Sequence, residues 1–266
     1  MPSRTVDLSA EGRYLDEPSA KQEKFIVPLL GDHIAEALKS IISNLDFTNN
    51  IPMALDCGCA DQPLRRMIET YGIQYQGLDI RQNSDCTVDY LIQLDSAPND
   101  IAQAVQRKYD LVIATEVLEH VQDVKRAFLN MYSLTNDGGY VLITTPFFYP
   151  LHEEPHDFVR LTLHSIQALA TDVGFNLVSL QRIGSASDVI GTVLGATTLR
   201  LKSSGSTLDR IHSRAVLLVQ RLAYSYLLRY RDRLVQSGDT IYLANIAILH
   251  KPPLSKALTS GEPQLH

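Results

Sequence analysis

The sequence predicts an α/β sandwich: a central, mostly parallel sheet with helices on both faces and a helical insert before the last strand. Three observations predict it. Short apolar runs bounded by turn residues alternate with segments of helical period across residues 51–183. Residues 51–80, IPMALDCGCADQPLRRMIETYGIQYQGLDI, read as strand, small-residue turn, helix and second strand, with acids at Asp56 and Asp79. A last apolar run, IYLANIAIL at 241–249, follows a long helical interval and is stopped by Pro252 and Pro253.

In chain order, residues 1–18 read as a flexible leader closed by Pro18. From 19 to 45, Phe25, Leu29, Leu30, Ile34, Leu38, Ile41 and Ile42 recur at helical spacing, and Pro28 and Gly31 should break that helix in two. The first strand ends in Asp56, and the turn Cys57-Gly58-Cys59-Ala60 is small enough for backbone N–H groups to approach a ligand. A helix over 64–71 leads to the second strand, whose terminal Asp79 can accept both hydroxyls of a ribose. Residues 87–95 (TVDYLIQLD) read as a third strand and 100–107 as a helix. Then YDLVIATEVLEHV at 109–121 supplies a buried fourth strand. Its Glu116, Glu119 and His120, at i, i+3 and i+4, would share one face of a helix. Asp137-Gly138-Gly139 turns into a fifth strand at 140–145, Thr162 caps a helix within 158–174, and 175–183 is a sixth strand.

Apolar content of 45% and charged content of 20% are ordinary for a globular chain, and the net charge of −6 counts against a general nucleic-acid coat protein. Three cysteines, Cys57, Cys59 and Cys86, fit a reducing compartment better than a disulfide framework. The amino-terminal stretch lacks the apolar core of a signal peptide, and no uncharged apolar run approaches the roughly 20 residues of a membrane span. The expectation is a cytoplasmic protein with a core over 19–183 and 240–266.

Asp56-Cys57-Gly58-Cys59-Ala60, with Asp79 closing the next strand and Glu116-Val117-Leu118-Glu119-His120-Val121 after the fourth, resembles class I S-adenosylmethionine-dependent methyltransferases. Ala60 and Gln62 depart from it, standing where the commonest pattern has glycines. The resemblance implies a Rossmann-like sandwich with a seven-stranded, mostly parallel sheet whose last strand is antiparallel, S-adenosylmethionine as cofactor, and a cofactor site of Asp56, Gly58, Cys59, Asp79, Ile80, Asp95, Thr115 and Glu116. Asp95 would meet the adenine amino group, with Gln93 its rival.

Methyl transfer to a hydroxyl needs a base or a metal to remove the proton. Candidates lie in the fourth-strand motif and in PFFYPLHEEPHDFVRLT after the fifth strand. His120, His156 and Asp157 are the catalytic candidates, with Arg160 read as the ion-pair partner of Asp157. The E-x-x-E-H spacing with a later histidine also resembles the divalent-metal site of small-RNA 2′-O-methyltransferases and, in part, of ubiquinone-pathway O-methyltransferases. That likeness implies Glu116, Glu119, His120 and His156 as ligands of Mg²⁺, Mn²⁺ or Fe²⁺.

The favoured reading is O-methylation of a small molecule, such as a sugar, polyketide or lipid-linked acceptor. A metal-dependent RNA 2′-O-methyltransferase and a catalytically silent docking protein are the alternatives. The insert at 184–239 carries a basic amphipathic helix over 208–235. Between Leu199 and Leu234 eight Lys/Arg face two Asp/Glu, in a chain whose total charge is −6. It reads as a lid, a homodimer element or a membrane-surface helix.

Overall fold

The computed structural model describes residues 20–48, 50–200, 206–236, 238 and 240–253. The leader at 1–18 and the tail after 253 lie outside them. Seven strands form one sheet in the order β3-β2-β1-β4-β5-β7-β6. They are β1 (Met53–Cys57), β2 (Gln74–Asp79), β3 (Tyr90–Leu91), β4 (Tyr109–Thr115), β5 (Thr135–Pro146), β6 (Asn176–Ile183) and β7 (Ala244–His250). β7 runs antiparallel to both β5 and β6, and the other pairings are parallel. Strands β1 and β4 are buried on both faces, which is why their sequences are continuous apolar runs.

Helices α1 (Glu23–Ile42) and α2 (Arg65–Thr70) cover one face of the sheet, and α3 (Pro98–Ala104), α4 (Val124–Leu134) and α5 (Leu163–Val173) cover the other. Thr162 caps α5 as expected, its hydroxyl accepting from Ser165 N at 3.1 Å, and Gly174 ends that helix in the left-handed region. The insert folds as two helices, α6 (Ala186–Ala196) and α7 (Thr207–Tyr230), closed by a 3₁₀ turn over Arg231–Arg233.

Two local expectations fail for physical reasons. Helix α1 runs unbroken through Pro28 and Gly31. Proline removes the donor that would bond the Lys24 carbonyl, and here Arg231 of the insert donates to that carbonyl instead, Nη1 to O at 3.2 Å. The third strand shrinks to Tyr90–Leu91 because side chains occupy its neighbours' backbone. The Asp89 carboxylate accepts from Gly77 N at 2.8 Å, and Asn130 Nδ2 donates to the carbonyls of Leu94 and Ser96.

Helix α6 seats on α1 at Gly191, where an added Cβ would strike the Phe25 ring. Replacing Gly191 by Ala should therefore destabilise the protein by about 1–3 kcal/mol, although alanine favours a helix by roughly 1 kcal/mol. Urea unfolding with an unchanged m-value checks it.

Candidate active site

The parallel strands deliver β1, β2, β4 and β5 to one carboxyl edge, where α/β ligands bind. The turn after β1 folds back over β2: Gly58 N and Cys59 N both donate to the Leu78 carbonyl, at 2.7 and 3.2 Å. Gly58, Ala60 and Gln62 all have positive φ, +72°, +44° and +59°. The three positions where the motif favours glycine are thus the three that need left-handed backbone.

Gln62 has a compensation. Its buried side chain donates to the Thr87 carbonyl at 2.8 Å and accepts from Thr87 Oγ1 and Arg65 Nη1. It fills space opened by Gly77, where a Cβ would sit 2.7 Å from its Nε2 and 2.6 Å from Cys59 Sγ.

Asp79 stands half-buried at the tip of β2. One carboxylate oxygen accepts from Ala60 N at 2.9 Å and the other from Arg81 N at 3.1 Å. Each oxygen retains a second lone pair, so the group can still accept two ribose hydroxyls. Ile80 beside it is exposed, presenting an apolar surface. Asp56 is buried and accepts from Tyr75 Oη at 2.6 Å. Burial drives its carboxyl up to about 7, with the Asp79 charge adding to the rise and the Tyr75 bond opposing it. Cys57 and Cys59 are buried free thiols, and Thr115 ends β4 half-buried. Asp95 accepts from Gln122 N and Asp123 N, both at 3.1 Å, so one of its oxygens is committed to the start of α4. Gln93 is exposed.

Glu116 follows Thr115 with φ +55°, so it does not continue into a helix. The expected shared face is reduced to a 3₁₀ turn over Leu118–His120, with Glu119 and His120 adjacent on it. Glu116 bonds the Thr144 side chain through one oxygen, and Oε1 is buried without a partner. Both oxygens of buried Glu119 also lack one.

What Glu119 faces is two imidazoles. His120 Nε2 lies 3.7 Å and His152 Nε2 3.8 Å from Glu119 Oε1, with the rings edge-to-face at 4.9 Å. These three side chains form a set whose potential ligand atoms all lie within 4.8 Å of one another. The tautomers follow from the other nitrogens. His120 Nδ1 meets the His156 carbonyl at 2.8 Å, and His152 Nδ1 meets the Pro150 carbonyl at 3.3 Å and Asp157 Oδ2 at 3.2 Å. Carbonyls and carboxylates only accept, so each Nδ1 carries a hydrogen, and Nε2 is the nitrogen whose lone pair faces the cluster in the neutral imidazole. Burial raises the Glu119 carboxyl, and the nearby Glu116 charge raises it further.

The sequence-derived residues therefore divide. Glu119 and His120 come together, and Glu116 stands close enough to act on Glu119 electrostatically. The His156 ring is exposed against Phe158; its contribution is its backbone carbonyl. Asp157 lies behind His152 in a bidentate pair with Arg160, which holds its carboxyl down at about 2. At that value it orients the imidazole and does not exchange protons near neutrality. Sequence reasoning missed His152 as the third donor, although its place in the same loop was a signal.

With this geometry in view, a family model described as a methyltransferase domain matches residues 31–180. The chain belongs to the class I S-adenosylmethionine-dependent methyltransferases. Two ubiquinone biosynthesis O-methyltransferases from strains of Rickettsia bellii are each 26% identical to this methyltransferase over 129 residues, 45% of this chain and 51% of theirs. The chain thus spans about half the length of the curated relatives it matches. Among solved structures, the SpnF cyclase superposes with a TM-score of 0.51 at 16% identity, covering 83% of each chain. Magnesium protoporphyrin IX methyltransferase from Synechocystis, with bound S-adenosylmethionine, gives 0.50 at 12% identity over 90% of this chain and 87% of its own. At such identities these two attest the fold.

Asp56 yields a pH prediction for the cofactor-free methyltransferase. Its folded carboxyl keeps a proton up to about 7, against 3.8 as the ordinary value. The folded state therefore binds more protons in that window. The stabilisation is complete below the lower value and is lost as pH rises through the upper one. Asp56→Asn should remove up to about 1.4 kcal/mol per pH unit from the slope of unfolding free energy between those limits, read by urea denaturation across a pH series.

Proposed function

We propose that this chain methylates an oxygen of a small molecule with S-adenosylmethionine, and that Glu119, His120 and His152 hold a divalent cation beside the acceptor. The observation that carries the reading is the convergence of two Nε2 lone pairs on a buried carboxylate with no hydrogen-bond partner. Unpaired, such a group is costly to bury, and a bound cation would satisfy all three donors. Two nitrogens and an oxygen suit Mn²⁺, Fe²⁺ or Zn²⁺ better than Mg²⁺. The cation would supply a lowered pKa for an acceptor hydroxyl.

The cofactor supplies an electrophilic methyl on sulfur. The protein's own residues supply placement. The Gly58 turn brings backbone to the methionine end, Asp79 accepts the ribose hydroxyls, and exposed Ile80 offers a wall for the adenine. For an acceptor oxygen to take that methyl and end neutral, its own proton would have to be removed. The hydroxyl proton leaves to the partnerless oxygen of Glu116, whose carboxyl burial raises toward neutrality, as a general base requires. The relatives named for O-methylation in ubiquinone biosynthesis support an oxygen acceptor of the lipid-linked or phenolic kind.

Two outcomes are expected. Asp79→Asn should weaken S-adenosylmethionine binding by roughly 10- to 100-fold, the loss of a charge-assisted bond or two; calorimetry showing wild-type affinity would remove Asp79 from the ribose. Mn²⁺ titrations followed by electron paramagnetic resonance should show binding abolished by Glu119→Gln and His152→Ala and weakened about 10- to 100-fold by Asp157→Asn, through loss of ligand orientation. His156→Ala should bind as the wild type, since only its backbone is used. Equal losses at 152 and 156, or no Mn²⁺ retention at all, would refute the cation reading. Methyl transfer surviving exhaustive chelation would do the same.

A further inference from the structure

We infer that helix α7 is a docking surface for an anionic phospholipid bilayer, lying in the plane of the interface. The helix is 24 residues long, yet Gln220 is its one buried residue. One face ties it to the body. Gln220 Nε2 donates to the carbonyls of Leu194 and Thr197 at 2.8 and 2.7 Å, Tyr224 Oη donates to the Lys21 carbonyl at 3.0 Å, and Leu227 and Leu228 pack on the core.

The opposite face is apolar and turned outward. Leu208, Ile211, Leu218, Val219, Leu222 and Tyr226 fall on one side of the helix at its 3.6-residue period, and each is 56–65% exposed. A helix fixed by one face normally presents polar residues on the other. This one presents leucines to solvent.

Charge selects what covers them. Arg210, Arg214 and Arg221, all exposed, sit on one margin of that apolar stripe, and exposed Arg229 and Arg233 follow at its end. Across the described residues 206–236 the acids are Asp209, half-buried, and Asp232, exposed beyond the helix. A second copy docked here would set arginines against arginines. An anionic headgroup layer takes the apolar stripe into its boundary and pairs the same arginines, and interfacial tyrosines such as Tyr226 and Tyr230 suit that depth. Among the described residues no helix is long and apolar enough to cross a membrane, so contact would be at the surface.

The position fits. Ile183 pairs with Ala244 and Ala244 with Pro146, so the insert leaves the sheet at the carboxyl edge that carries the active site. A bilayer against α7 therefore lies on the side from which a lipid-soluble acceptor would enter.

The test uses the full chain and phosphatidylcholine vesicles with and without phosphatidylglycerol. The chain contains no tryptophan, so Leu222→Trp gives a single fluorescent reporter. Its emission should shift to the blue only with phosphatidylglycerol, and wild-type protein should co-sediment with those vesicles. Arg210→Glu/Arg214→Glu/Arg221→Glu should weaken partition by at least about fivefold per arginine. Leu218→Asp/Leu222→Asp should reduce it more than tenfold, with the urea midpoint unchanged in both. Retention indifferent to phosphatidylglycerol, or variants that bind as the wild type, would overturn the inference. So would a dimer in sedimentation equilibrium that Leu218→Asp/Leu222→Asp splits, with no vesicle retention. Because the assay reads binding and no turnover, its failure would leave the methyl-transfer reading intact.

Discussion

The carboxyl edge depends on one constraint: the chain after β1 must reverse within a few residues while keeping its N–H groups bonded to β2. The Leu78 carbonyl enforces this by taking both Gly58 N and Cys59 N. In the same turn Gly58, Ala60 and Gln62 take left-handed backbone, where side chains cost roughly 1 kcal/mol or more apiece. Glycine at all three would be cheapest locally. This chain uses it once and offsets the other two with specific bonds, Ala60 N to Asp79 and the Gln62 side chain to Thr87 and Arg65. The bond from Ala60 also positions Asp79, the acid proposed to take the ribose hydroxyls, so the turn and that carboxylate form one network.

A second loop is organised around a cation in the same way. Arg160 pairs with both oxygens of Asp157 and donates to the carbonyls of Tyr149, Pro150 and Val159. Asp157 in turn accepts from His152 N and holds His152 Nδ1. The imidazole facing Glu119 is thus oriented through a chain that begins at a guanidinium, whose five donors in a rigid fork can span several acceptors at once. Removing Arg160 would loosen His152 without touching it.

Much of this was legible in the sequence because it depends on local pattern. Asp56 to Ala60, Asp79 and the YDLVIATEVLEHV run placed the sheet and its carboxyl edge, and IYLANIAIL at 241–249 marked the last strand, whose antiparallel direction came from the family resemblance. Thr162 marked its helix by cap chemistry alone. What was not legible depends on long-range partners. Pro28 reads as a helix breaker until Arg231, more than two hundred positions away, takes the orphaned Lys24 carbonyl. Residues 87–95 have strand composition, but Asp89 and Asn130 bind the backbone that a ladder would use. His152 and His156 are equivalent in composition and differ only in which atom the loop turns inward. Spacing cannot reveal that.

Arg231 also bears on how the insert relates to the core. Besides closing the break at Pro28, it lies 3.7 Å from Asp188, which caps α6 through Ser185. The end of α7, the start of α6 and the first turn of α1 therefore meet at one guanidinium, while Phe25 of α1 meets Tyr224 of α7 edge-to-face at 5.5 Å. A helix held by so few but well-placed bonds is fixed in orientation and left with its apolar side outward. Had the insert served only to fill space over the sheet, Leu208, Leu218 and Leu222 would have turned inward with Leu227 and Leu228. The chain instead anchors one face of the helix through Gln220, Tyr224, Leu227 and Leu228 and leaves a second apolar stripe outward, which is the distribution expected of an element whose partner lies outside the molecule.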